Sequence, residues 1–174
     1  MKVDVNIFDY ASVSRATRRL DIYLDLKEKA DELCRRLAEL GCTTATVGFA
    51  NAIYDGTNDV KVEVKPIDNG YAVVASGNAV IFIEFGAGVY YNGSGSYPGE
   101  LEPGVVAIGE YGQGRGKNDW WLYPGPPGNA GGVPSTSVPG MTITHGNPPA
   151  AAMYRAKQEV KDAIERIANE VFNS

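Results

Sequence analysis

The groups able to do chemistry are few in this 174-residue sequence. Glu84 is the most conspicuous, a lone carboxylate in the apolar run "VIFIEF", immediately before Gly86 and Gly88. Carboxylates in apolar surroundings are harder to ionise, and enzymes use that to tune a general acid. No second carboxylate stands where it would complete an acid–base pair. The residue types therefore favour a structural part for Glu84, accepting backbone N–H bonds from the turn around Gly86 and Gly88 or pairing with Arg155. His145 is the single histidine, and it reads as a loop or strand-end residue beside Gly146. With one histidine and no GxSxG, there is little scope for a Ser–His or Cys–His arrangement. Cys34 and Cys42 form no CxxC, and with His145 they do not make a convincing zinc set. Cys34 falls on the apolar stripe of a helix, as a buried free thiol would.

Two glycine-rich stretches resemble nucleotide loops and fail in detail. In "EYGQGRGKNDW", Tyr111 stands where a Walker A loop requires glycine, and Asn118 follows Lys117 where Ser or Thr is required. "GAGVYY" opens like GxGxxG, but Tyr91 replaces the last glycine. No catalytic, metal or cofactor-binding residue is assigned, and no cofactor is expected.

The elements that would position these residues fit a single domain over 1–174. Apolar residues make up 44% and charged residues 21%, both ordinary for a globular chain. A net charge of -5 lacks the basic footprint of phosphate binding, so recognition of nucleic-acid sequence is not expected. No stretch approaches the length of a membrane span, and the first residues lack a signal-peptide core, so the chain reads as soluble and intracellular when made. "KVDVNIF" alternates like a short strand. From Ser14 to Leu40, Leu20, Tyr23, Leu26, Ala30, Leu33, Leu37 and Leu40 recur at helical spacing, and Gly41 stands where a C-terminal cap belongs. Val60, Val62 and Val64 alternate with charges, and "DNG" (Asp68 to Gly70) offers a hairpin connection to the strand from Tyr71 to Ser76. Ala79–Glu84 suits a strand or a helical turn equally. At the end of the chain, Asn147 stands as an N-cap and Pro148 in the first turn of an amphipathic helix. Its stripe is Met153, Ala156, Val160, Ile164, Ile167 and Val171. The sum is an α+β domain: a small antiparallel β-sheet packed against a long N-terminal and a C-terminal amphipathic helix.

Residues 86–146 hold 16 of the 21 glycines. This is an insertion between scaffold elements, and long insertions in compact domains are usually functional or disordered. "DWWLYP" and "MTITHG" inside it read as short strands able to pair. Trp120 and Trp121 must face opposite ways on one strand, which leaves one of them for a surface or a partner.

The ordered blocks "VASGNAVIFIEFGAGVYYN", "AIGEYGQGRGKNDWWLY" and "TITHGNPPAAAMYRA" resemble the gene-product-10-like proteins of long-tailed bacteriophages. These act in tail completion or head–tail joining and are sometimes described as minor capsid proteins. The insert "PGPPGNAGGVPSTSVPG" is longer than that pattern leads one to expect. The resemblance implies a structural virion protein, phage or prophage, and no active site. It implies a ring of copies of the chain at the head-proximal end of the tail, with a tail-tube protein and a head-completion or neck protein as partners. Such a protein is made and assembled in the bacterial host cytoplasm. In that setting Arg115, Lys117, Trp120 and Trp121 become interface candidates, Glu84, Gly86 and Gly88 a structural turn, and the stretch Tyr90 to Gly140 a segment ordered only between neighbours. The alternatives are a small intracellular hydrolase using Glu84 and a stand-alone ligand-binding module.

Overall fold

The computed structural model describes residues 10–87, 97 and 120–173. Gly88, Arg115, Lys117 and the expected strand around Val3, Val5 and Ile7 lie outside them. Helix α1 spans Tyr10–Ala50, strands β1 and β2 span Lys61–Ile67 and Gly70–Ser76, and a short helix α2 spans Val80–Phe85. Strands β3 (Trp121–Pro124), β4 (Val133–Pro134) and β5 (Met141–Thr144) follow, and α3 (Ala152–Phe172) closes the described chain.

The long helix runs ten residues past its expected end at Leu40, because Gly41 is a contact and not a cap. Gly41 is buried in mid-helix, and a Cβ there would stand 3.0 Å from Val160 Cγ2 and 3.4 Å from Val73 Cγ2. One turn pair later a Cβ at Gly48 would stand 2.7 Å from Ala152 Cβ. The two glycines thus let α3 and the β1–β2 hairpin approach the α1 backbone. Together with Lys29 Nζ donating to Phe172 O at 3.5 Å, these contacts run α3 antiparallel along α1. Leu33, Leu37 and Leu40 pack on Ala163, Ile167 and Val171, forming one core. Ile164 of the expected stripe is instead 46% exposed, and Ala163 takes the buried place. Cys34, expected inside, is exposed: it lies one position off the row that α3 covers.

The hairpin forms as its alternation predicts. β1 and β2 are antiparallel with Lys61 opposite Ser76 and Ile67 opposite Gly70, whose φ of 140° supplies the positive-φ residue at the turn. Tyr71 Oη donates to Asp31 Oδ2 at 3.0 Å and ties the hairpin to α1. The strand-or-helix ambiguity at Ala79–Glu84 resolves as helix. Asp59 Oδ1 accepts from Ala79 N and Oδ2 from Asn78 N, each at 2.9 Å, which satisfies donors at the start of α2. Those backbone bonds hold the Asp59 carboxyl below its usual range.

The insertion strands pair as expected, β3 with β5 from Trp121 opposite Thr144 to Pro124 opposite Met141. β4 adds to the other edge of β5, giving the order β3-β5-β4. Among the described residues there are therefore two small antiparallel sheets where one was expected. A second core joins them to the helices, built from Phe49, Tyr54, Ala79, Ile83, Tyr123 and Ala152.

Candidate functional site

Glu84 is 3% exposed, and its partners differ from both that the sequence suggests. Oε2 accepts from Met153 N at 2.9 Å, and Oε1 from Tyr154 N at 3.1 Å and Tyr97 Oη at 3.1 Å. Among the described residues, neither Gly86 nor Arg155 is one of its partners. The reason lies at the start of α3. Residue 151 is an alanine with φ 49°, which has no side chain able to cap a helix. Met153 and Tyr154 occupy the second and third helical positions, where orphan N–H groups need an acceptor. Glu84 of α2 supplies it from across the core, with its negative charge at the positive end of the α3 dipole. Ala150 N and Ala151 N donate to Ile83 O and Glu84 O, so α2 and the entry to α3 are stitched side by side.

Asn147, expected as the N-cap, sits five residues before α3 and is 1% exposed. Its backbone exchanges two hydrogen bonds with Ala87, and its Nδ2 donates to Phe82 O at 2.8 Å. The pair Pro148–Pro149 keeps helix from starting there. Tyr97 stands over this junction, with ring centroids 5.0 Å from Phe85 and 5.8 Å from Tyr154. Burial, and then the Glu84 carboxylate, push its hydroxyl up to about 12.

A second buried acid, Asp55, organises the far side. It is fully buried and accepts four bonds. Oδ1 takes Gly128 N at 3.1 Å and Ala130 N at 3.3 Å; Oδ2 takes Gly132 N at 2.9 Å and Thr144 Oγ1 at 2.8 Å. The glycines are required by closeness: a Cβ at Gly132 would lie 2.6 Å from Asp55 Oδ2, and one at Gly128 would lie 1.9 Å from Tyr54 O. Asn129 adds a two-way bond with the Tyr54 backbone. The stretch 125–132 is thus moulded onto a carboxylate within a single chain, where ordering only between neighbours was expected. Sequence reading missed Asp55. The available signal was an acid between an aromatic and a glycine at the exit of a long helix, with a glycine-dense loop elsewhere to supply donors.

The two tryptophans differ in burial, although only Trp121 lies on β3 and Trp120 precedes it. Trp121 packs partly buried on the core, its ring centroid 6.1 Å from that of Tyr123. Trp120 is 40% exposed, and Val133 and Val138 of the same insertion are also exposed. Chemically, Glu84 and Asp55 have both carboxylate oxygens engaged by fixed donors. What this arrangement does is hold backbone. Among the described residues no three His, Cys, Asp or Glu side chains gather as a metal site would need, and no helix is long and apolar enough to cross a membrane. Comparison with family models, curated proteins and solved structures finds no match.

Proposed function

We propose that this chain is a structural subunit of a tailed-phage or prophage virion, acting in tail completion and head–tail joining. It assembles as a ring of copies at the head-proximal end of the tail, between a tail-tube protein and a head-completion or neck protein. The observation that carries the reading is how the buried acids are used. Glu84 and Asp55 accept seven hydrogen bonds between them, five from backbone N–H groups, and so shape the chain around the glycine-rich insertion. A protein that shapes a loop this closely has a surface to present. The ordered sequence blocks that resemble tail-completion proteins and the exposed Trp120 support the same reading.

The test is a joining assay with purified heads, tails and this chain. Trp120→Ala is expected to leave the melting temperature unchanged and to lower the yield of joined particles. Glu84→Gln tests the hydrolase alternative. A wild-type protein that turns over cell wall, nucleotide or peptide, and a Glu84→Gln variant that stays folded and does not, would replace the structural role with an enzymatic one.

A further inference from the structure

Among the described residues, the first half of α1 leaves a run of large apolar side chains about half exposed. α3 ends at Phe172 beside Lys29, so Tyr10 to Glu28 project beyond the two-helix contact for about 28 Å at helical rise. Leu20, Ile22, Tyr23, Leu24 and Leu26 are each between 46% and 54% exposed there, a density of bare apolar side chains that single surface residues do not explain.

These residues are not scattered. Turning about 100° per residue, Val13, Leu20 and Leu24 fall on one row, and that row continues into Ala38, Ala45 and Phe49, which are buried. Ile22 and Leu26 fall on a second row, about 160° away, which continues into Leu33, Leu37 and Leu40, the residues covered by α3. Both rows are packed in the body of this chain and, among the described residues, continue along the arm with their apolar side chains largely exposed.

We propose that a second copy of this chain seats on the arm, helix beside helix, with the Val13–Leu20–Leu24 row of one copy against the Ile22–Leu26 row of the next. This rests on the ring reading above and deepens it. Two different faces of one helix meeting copy after copy is the heterologous contact that cyclic closure needs. In such a side-by-side pairing, Arg18 at the edge of the second row comes beside Asp21 at the edge of its neighbour's first row. One contact would bury on the order of 1,000 Å², the threshold of a specific interface, and a closed ring gives every subunit two. Faces about 160° apart also suit a wide ring, since six copies would need only about 120° between faces and larger rings more.

Sedimentation velocity and native mass spectrometry on the full chain test this. Wild-type protein is expected to form a closed oligomer of more than six copies. Leu20→Asp and Ile22→Asp, both at exposed positions, should leave the melting temperature unchanged and reduce the protein to monomer. Arg18→Asp and Asp21→Arg should each weaken assembly about tenfold, and the double variant should recover it. Assembly that is indifferent to Leu20→Asp and Ile22→Asp would overturn the arm as the contact while leaving the ring reading intact. A dimer that adds no third copy would overturn the pairing of unlike faces. A monomer whose arm is covered only by a different protein would overturn the second copy as occupant. Rings that form through the arm but fail to join heads to tails would leave this inference standing and remove the neck role.

Discussion

Glu84 and Asp55 invite the same experiment with different severity. Glu84→Gln keeps an acceptor for one side of the α3 entry and turns an N–H2 toward the other, so a loss of about 1.5–3 kcal/mol is expected in thermal or urea melts. Asp55→Ala leaves three loop N–H groups and the Thr144 hydroxyl without their acceptor, and a loss on the order of 3 kcal/mol or more follows. Phenols give the pH dependence. Tyr54 and Tyr97 are both pushed up to about 12, Tyr54 chiefly by burial and then by Asp59 and Asp55. A phenol whose folded value lies above its unfolded one stabilises fully below about pH 10, and that contribution is lost as pH rises through about 12. Stability should therefore fall between those values, and ultraviolet titration should show Tyr54 and Tyr97 ionising late, with Tyr71, whose bond to Asp31 also raises it, above the ordinary range. If all tyrosines titrate together near 10, the burial of these two is misassigned. Asp59, held low by backbone donors, acts in the opposite sense: its contribution is present above the ordinary carboxylate range and fades in acid. Of these residues only Glu84 is conspicuous in the sequence, because it interrupts an apolar run. Asp55 has no such frame, since its partners lie in a loop more than seventy positions away.

At the scale of elements, the α1–α3 contact is set by what glycine omits. Gly48→Ala would gain about 1 kcal/mol of helix propensity but place a methyl 2.7 Å from Ala152 Cβ, and overpacking of that kind costs about 1–3 kcal/mol. Net destabilisation is expected in a thermal melt, although alanine is the better helix former. Along α3, Ile167→Ala should cost about 2–5 kcal/mol and Ile164→Ala less than about 1 kcal/mol, because the first is buried and the second is 46% exposed. Periodicity showed both helices and the β1–β2 hairpin, since each has a wet and a dry face. It misplaced their ends. Gly41 has the same letter whether it caps a helix or admits a neighbour, and only the packing of Val160 and Val73 distinguishes the two. Asn147 is a good cap by type, yet Phe82 and Ala87 engage it first. The pairing of β3 with β5 was legible from two apolar islands, whereas the two-residue β4 was too short to leave a pattern.

The whole molecule joins distant parts of the chain, and the Asp55 clamp has a consequence for the order in which it folds. Its four bonds span 73, 75, 77 and 89 residues of sequence. Closing loops of that length costs entropy before any contact repays it, so local structure leads and such contacts follow. The β1–β2 hairpin and the α1 helix can form early; the mould around Asp55 must wait for both. Asp55→Asn should then leave the refolding rate nearly unchanged and accelerate unfolding, a φ-value near zero, while substitutions in the hairpin such as Val64→Ala slow refolding. Stopped-flow chevrons of the two variants would decide it, and a slowed folding limb for Asp55→Asn would place the clamp in the nucleus instead. A clamp that closes last is also the one that opens first. Resistance of the insertion to slow unfolding, and so the working lifetime of the surface it carries, rests largely on a single aspartate five residues beyond the end of α1.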